Sequence, residues 1–217
     1  FALVETGKSA FVVSTSFGPN SFITQGAKVM MICNEESAKR TMQRAAMAHS
    51  GLTIEEAYKN REQGKRRWDC VKDLATVRDA QDYPTMSAVE ALVRKKKPDV
   101  LIIDQLDKMQ VSGVFTRDDL RLGEVYRKAR FMAKKHNLAL IAVSQADASA
   151  DGRTSLSFTQ MANSKIGKAA EADVIIGIGK ENTDNGIDNF LRYLHVSKNK
   201  LGGSHGRAIV KIAPQVS

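Results

Sequence analysis

The sequence predicts an α/β fold: a mostly parallel, twisted sheet flanked by helices and finished by a C-terminal antiparallel hairpin. Three observations predict it. Short apolar strands alternate with helical patterns along the 217 residues, an order that builds parallel sheets covered by helices. The opening stretch ALVETGKS has the spacing of a phosphate-binding loop, which joins a strand to a helix. The last two apolar runs flank the turn-rich KNKLGGSH, a hairpin signal.

With 42% hydrophobic and 26% charged residues the chain can bury one substantial core, and a single domain over 1–217 is expected. No apolar run approaches the roughly 20 residues of a membrane helix. Two cysteines, Cys33 and Cys70, build no disulfide framework, which fits a reducing cytoplasm; Cys33, inside VMMIC, reads as a buried strand thiol. The balance of 33 Lys+Arg against 24 Asp+Glu gives +9 and points to a polyanionic partner such as nucleic acid, although a solvated basic face would look the same.

In ALVETGKS, Ala2 stands where G-x-x-x-x-G-K-[ST] has its first glycine, and the strict demands fall on Gly7, Lys8 and Ser9. Backbone N–H groups around Glu5, Thr6 and Ala10 would face the phosphates, Lys8 would reach the β/γ oxygens and the Ser9 hydroxyl would hold Mg²⁺. The pattern also arises by chance, so its context decides. A helical run, SAFVVSTSF, follows as required. The strand that should precede the loop is missing, so the 217 residues are expected to be a fragment lacking that strand and any N-terminal domain.

The strand AKVMMIC (27–33) runs into Asn34-Glu35-Glu36-Ser37. A carboxylate there can orient and deprotonate an attacking water; Glu35 is assigned that role, and Glu36 that of a helix-start charge. Thr53 with Glu56, and Ser87 with Glu90, have capping-box spacing, so helices begin near each. LATVR (74–78) and DVLIID (99–104) read as strands, the second ending in Asp104 about a hundred residues after the phosphate loop. That is the form of a Walker B carboxylate binding Mg²⁺ across from Ser9; an aspartate starting an ordinary turn is the plainer reading. Residues 117–136 form a long amphipathic helix, and LALIAVS (138–144) and ADVIIGIG (172–179) are further strands. FLRYLHVS (190–197) and GRAIVKIA (206–213) make the hairpin at the sheet edge.

The order ALVETGKS, VMMICNEES, LATVRDA, DVLIIDQLDKM, LALIAVSQ, KAAEADVIIGI and VSKNKLGG resembles the helicase domain of the DnaB-like hexameric replicative DNA helicases, which include phage helicase–primases and have a RecA-like core. The likeness covers essentially the whole chain. It implies an ATP- or NTP-hydrolysing DNA helicase that works as a homo-hexamer on single-stranded DNA with Mg²⁺, with primase and loader proteins as further partners and a cytoplasmic location. Lys8 and Ser9 are then similar to the phosphate and Mg²⁺ ligands, Glu35 to the catalytic base, Asp104 to the Walker B acid, and Gln145 to the sensor of the γ-phosphate. The family's DNA-binding loops would fall at Val111–Asp119 and Asp147–Lys165, with Arg153 and Lys165 as phosphate contacts in the pore. The family usually has arginine two residues after the hairpin lysine; here Lys198-Asn199-Lys200 keeps the charge and loses the bidentate fork, so Lys198 and Lys200 are the candidates for reaching a neighbour's nucleotide.

Other readings share parts of these motifs. A RecA-like recombination or clock-type ATPase uses the same core without unwinding, and strand exchange would mark the former. A small-molecule nucleotide kinase would need an acceptor pocket or lid, and nothing in the sequence looks like one. In a nucleic-acid-binding module the nucleotide site would be only structural, and DNA-stimulated hydrolysis would be absent.

Overall fold

The computed structural model describes residues 1–163, 165–181 and 190–213, Lys165 by its backbone alone. In chain order its helices and strands are α1 (Lys8–Phe17), β1 (Val29–Cys33), α2 (Ala38–Ser50), α3 (Ile54–Lys59), α4 (Arg61–Asp69), β2 (Ala75–Asp79), α5 (Met86–Lys96), β3 (Val100–Asp104), α6 (Asp118–His136), β4 (Ala139–Ala142), α7 (Lys165–Glu171), β5 (Val174–Gly179), β6 (Leu191–Asn199) and β7 (Arg207–Lys211).

Strands β1 and β3 are buried at every position, as central parallel strands covered on both faces must be. Their side chains alternate between two cores. Met30, Ile32, Leu101 and Ile103 pack with Val89 and Val93 of α5 and Val125, Ala129 and Met132 of α6. Val29, Met31, Cys33, Val100 and Ile102 pack on the other face with Val12, Val13 and Phe17 of α1 and Ala45 and Ala48 of α2. Each large apolar side chain removed from water contributes about 1.5–3 kcal/mol, so these two layers fix the sheet between its helices.

The four-stranded parallel sheet has the order β2-β1-β3-β4. The run 172–179 does not extend it. It forms β5, which pairs antiparallel with β6, and β6 pairs with β7 in a three-stranded sheet. The hairpin therefore has its own strand partner and is not an addition to the parallel sheet's edge. Residues Phe1–Leu3 lie between the two sheets: Ala2 bridges Gln145 in parallel, and the Phe1 carbonyl accepts from the Ile178 amide at 2.9 Å.

Capping follows local chemistry. Thr53 and Glu56 form the expected reciprocal capping box at α3. At α5 the cap is Thr85, whose hydroxyl accepts from the Ala88 amide, and not Ser87; Glu90 turns instead to Lys135 and His136 of α6. Ser37 caps α2 by accepting from the Arg40 amide. The register sets Cys33 beside Asp104, so Asn34, Glu35 and Gln105 emerge together at the carboxyl ends of the strands, where open α/β sheets bind ligands.

Candidate nucleotide-binding site

The phosphate loop turns on two left-handed residues, Glu5 (φ 59°) and Gly7 (φ 96°). Backbone of this kind turns successive N–H groups toward a common concave side. Gly7 precedes α1 with no side-chain cap, so the first amides of that helix are left for an anion. Thr6 braces the loop from within, its hydroxyl donating to the Leu3 carbonyl at 2.8 Å. From outside, Arg192 of β6 donates through Nε to the Thr6 carbonyl at 2.8 Å. Ala2 is buried, and the Lys8 ammonium donates to its carbonyl at 3.1 Å and to that of Leu3 at 2.8 Å. Burial holds the Lys8 pKa below the usual lysine range, against the opposing pull of Glu35 and Asp104.

Helix α1 and strand β3 bring Ser9 and Asp104 together: the Ser9 hydroxyl donates to Asp104 Oδ2 at 3.4 Å. Burial first, then the nearby Glu35 charge, pushes the Asp104 carboxyl up to about 6. Its Oδ1 is buried with no hydrogen-bond partner among the described residues. A carboxylate oxygen left bare beside a hydroxyl is the donor set a divalent cation would complete, so Ser9 and Asp104 fit Mg²⁺. Among the described residues no cluster of three or more His, Cys, Asp or Glu could hold a metal by itself, so a cation here would draw its remaining ligands from water and substrate phosphate.

Glu35 lies beside this pair. Gln105 donates to Glu35 Oε1 at 2.6 Å, Gln145 approaches the same oxygen at 3.5 Å, and the Lys108 ammonium is 3.7 Å from it. Glu36, by contrast, bridges Arg40 and Arg44 along α2, the helix-start role expected of it. Lys8, Ser9, Glu35, Asp104 and Gln145 thus converge, while Gln105 and Lys108, from the same DVLIIDQLDKM run as Asp104, and Arg192, from FLRYLHVS, join them without a pattern of their own. Only the place of Gln105, directly after the strand-ending Asp104, could have marked any of these three in advance.

The remaining candidates lie elsewhere. Lys198 donates to the Ala169 carbonyl of α7, and its pKa is lowered by burial and then by Lys200. Lys200 is exposed in the hairpin turn and anchored through its backbone amide to the Asp173 carbonyl at 2.9 Å. Neither is bonded to the phosphate loop, Glu35 or Asp104 among the described residues. Arg153 is exposed in the loop that packs over Gly177 and Gly179 of β5, where a Cβ on Gly179 would lie 2.8 Å from the Thr154 carbonyl. Lys165 opens α7, and its side chain lies outside the described residues.

A family model described as the DnaB-like helicase C-terminal domain matches residues 2–211. The chain belongs to this DnaB-like helicase family. No curated protein matches the sequence. A DnaB-like replicative helicase, described with its interactions with primase, is similar in structure to this DnaB-like chain, with a TM-score of 0.81 at 14% identity over 99% of this chain and 56% of that one. A separate structure, described as an ATPase domain, gives 0.78 at 13% identity over 99% of this chain and 80% of that one. The KaiC-like protein PH0186 from Pyrococcus horikoshii OT3 gives 0.65 at 15% identity over 99% and 84%. At these identities the structural likenesses establish the RecA-like fold.

Proposed function

We propose that this domain is the motor of a replicative DNA helicase, hydrolysing ATP or another NTP between subunits of a homo-hexameric ring and moving along single-stranded DNA in the pore. The observation that carries the reading is the Asp104 carboxylate, whose Oδ2 accepts from the Ser9 hydroxyl while its Oδ1 has no partner among the described residues, with Lys8 and Glu35 alongside, in a chain of the DnaB-like family. Loop and α1 amides would hold the phosphates, and Lys8 would exchange its loop carbonyls for the β/γ oxygens. Glu35 would take a proton from the attacking water, and Gln145, within reach of Glu35, would register the γ-phosphate. Mg²⁺, held by Ser9 and Asp104, would supply charge neutralisation on the phosphate oxygens.

The net charge of +9 supports contact with a nucleic-acid backbone, and Arg153 and Lys165 are assigned to it. Primase and loader proteins are proposed as partners, with the cytoplasm as the place of work. The likeness to a KaiC-like protein favours, as a second reading, an ATPase of the same core without unwinding. Strand displacement on a forked duplex by the full-length protein decides between them. NTP-dependent displacement, lost together with hydrolysis in Lys8→Ala, is expected; DNA-stimulated hydrolysis without displacement would favour the second reading. Wild-type turnover by Lys8→Ala would sink the site assignment itself.

A further inference from the structure

Three donors converge on one oxygen of Glu35. Gln105 Nε2 is 2.6 Å from Oε1, Gln145 Nε2 3.5 Å and Lys108 Nζ 3.7 Å. Oε2 makes no hydrogen bond or ion pair among the described residues, and the side chain as a whole is 32% exposed. Gln105 is itself 3% exposed and held in place: the Asn34 side chain donates to its carbonyl at 3.0 Å, and the Asn34 amide donates to the Asp104 carbonyl. The tips of β1 and β3 are therefore cross-linked twice, once through Asn34 and once through Gln105 and Glu35.

We infer that Gln105, assisted by Lys108, is a positioning residue that occupies Glu35 Oε1 and leaves Oε2 as the oxygen that accepts the proton of the attacking water. The inference rests on Glu35 being the base, as proposed above. A carboxylate works as a general base only from within hydrogen-bond reach of the proton it removes, and its rotamer decides that reach. Glu35 lies just past the end of β1 on an exposed stretch, so the bond from the buried Gln105 is what selects one carboxylate rotamer among the several a glutamate can adopt. Lys108 adds a positive charge on the same oxygen from the half-exposed turn after β3.

The test is a double-mutant cycle in the full-length protein with saturating single-stranded DNA. Gln105→Met keeps the length and removes the amide. A displacement of about 1 Å at a reacting group costs on the order of 10²-fold, so Gln105→Met should lower kcat by roughly 10- to 100-fold with KM changed less than about twofold. Lys108→Ala should give a smaller loss, and Lys108→Arg should restore it. In a Glu35→Gln background, Gln105→Met should lower the residual turnover no further, because its effect passes through Glu35. Losses that multiply in the double variant, or a kcat for Gln105→Met within about twofold of wild type, would overturn the inference. So would a parallel fall in fluorescent-nucleotide affinity and melting temperature, the mark of a merely structural role. Wild-type turnover by Glu35→Gln would instead overturn the assignment of the base, a different failure recognisable from that single variant.

Discussion

Asp104 holds a charge that its surroundings resist. Its carboxyl is pushed up to about 6 by burial and by Glu35, with one oxygen unpartnered. Because the folded value lies above the ordinary 3.8 of an aspartate, the folded state binds the proton more tightly than the unfolded one. Stability linked to this group is complete below about pH 4 and is lost as pH rises through about 6. Asp104→Asn, which mimics the protonated form, should stabilise the nucleotide-free protein at pH 7.5 by up to about 3 kcal/mol, raising its melting temperature by several degrees. The difference should vanish near pH 4; a gain independent of pH would refute it. The same variant should weaken Mg²⁺-dependent nucleotide binding, since the cation pulls on a carboxylate that the fold alone leaves half-protonated near pH 6. Asp104 was legible because an apolar run ending in aspartate stands out in DVLIID. Gln105, one residue on, was marked only by that neighbouring place: a glutamine at a strand end carries no periodic signal, and the β1–β3 register is what aims it at Glu35.

Between elements, a buried polar network joins the nucleotide end of the sheet to α7. Lys168 is 1% exposed, and its ammonium donates to Asp107 Oδ2 at 2.7 Å, to the Ser144 hydroxyl at 3.1 Å and to the Ala162 carbonyl at 2.7 Å. The Tyr126 hydroxyl of α6 donates to Asp107 Oδ1 at 2.7 Å. The turn after β3, the end of β4, α6 and α7 are thus pinned at one point, three residues beyond Asp104 and one before Gln145. Removing one partner strands the other without compensation, at about 3–5 kcal/mol. Lys168→Met or Asp107→Leu should each lower the unfolding free energy from urea titration by that order, and the Lys168→Met/Asp107→Leu double variant should recover part of the loss. A double-variant loss equal to the sum of the two single losses would show that the pair is not coupled. This network was illegible because a lysine in KIGKAAE reads as a solvated face. The strands of the parallel sheet were legible to within a few residues, since β1, β3 and β4 are nearly continuous apolar runs and β2 is a short β-branched stretch between helical patterns. Which sheet holds β5 was not, because VIIGIG satisfies a parallel and an antiparallel neighbour alike. Helix α4, RRW apart, has no apolar stripe and buries no residue, so periodicity could not find it. Ser87 and Thr85 both had capping chemistry, and the engagement of Glu90 with α6 decided against the box.

For the whole molecule, the C-terminal sheet faces two ways. Arg192 of β6 ties it to the chain's own phosphate loop through the Thr6 carbonyl, whereas the turn at the other end of β6 exposes Lys200 and leaves Leu201 79% exposed. A strand of nine residues spans about 30 Å, so a hairpin braced on its own loop at Arg192 presents Lys200 well away from it. We propose that Lys200, with Lys198 behind it, serves the nucleotide of a neighbouring subunit, as the family resemblance implies. A trans arginine contributes about 10³–10⁵ in rate, and a lysine should give less because it makes a point contact without the bidentate fork. Lys200→Ala should then lower turnover by about 10- to 1,000-fold while nucleotide affinity stays within about twofold. Mixing two inactive proteins tests the geometry directly. A Lys8→Ala subunit has no working site yet offers its Lys200, and a Lys200→Ala subunit keeps a working site and lacks the cation. In mixed rings some interfaces unite an intact site with an intact lysine, so partial NTPase activity should return. With subunit exchange verified by a mixed-tag pull-down, activity no greater than that of either variant alone would show that Lys200 does not act across the interface.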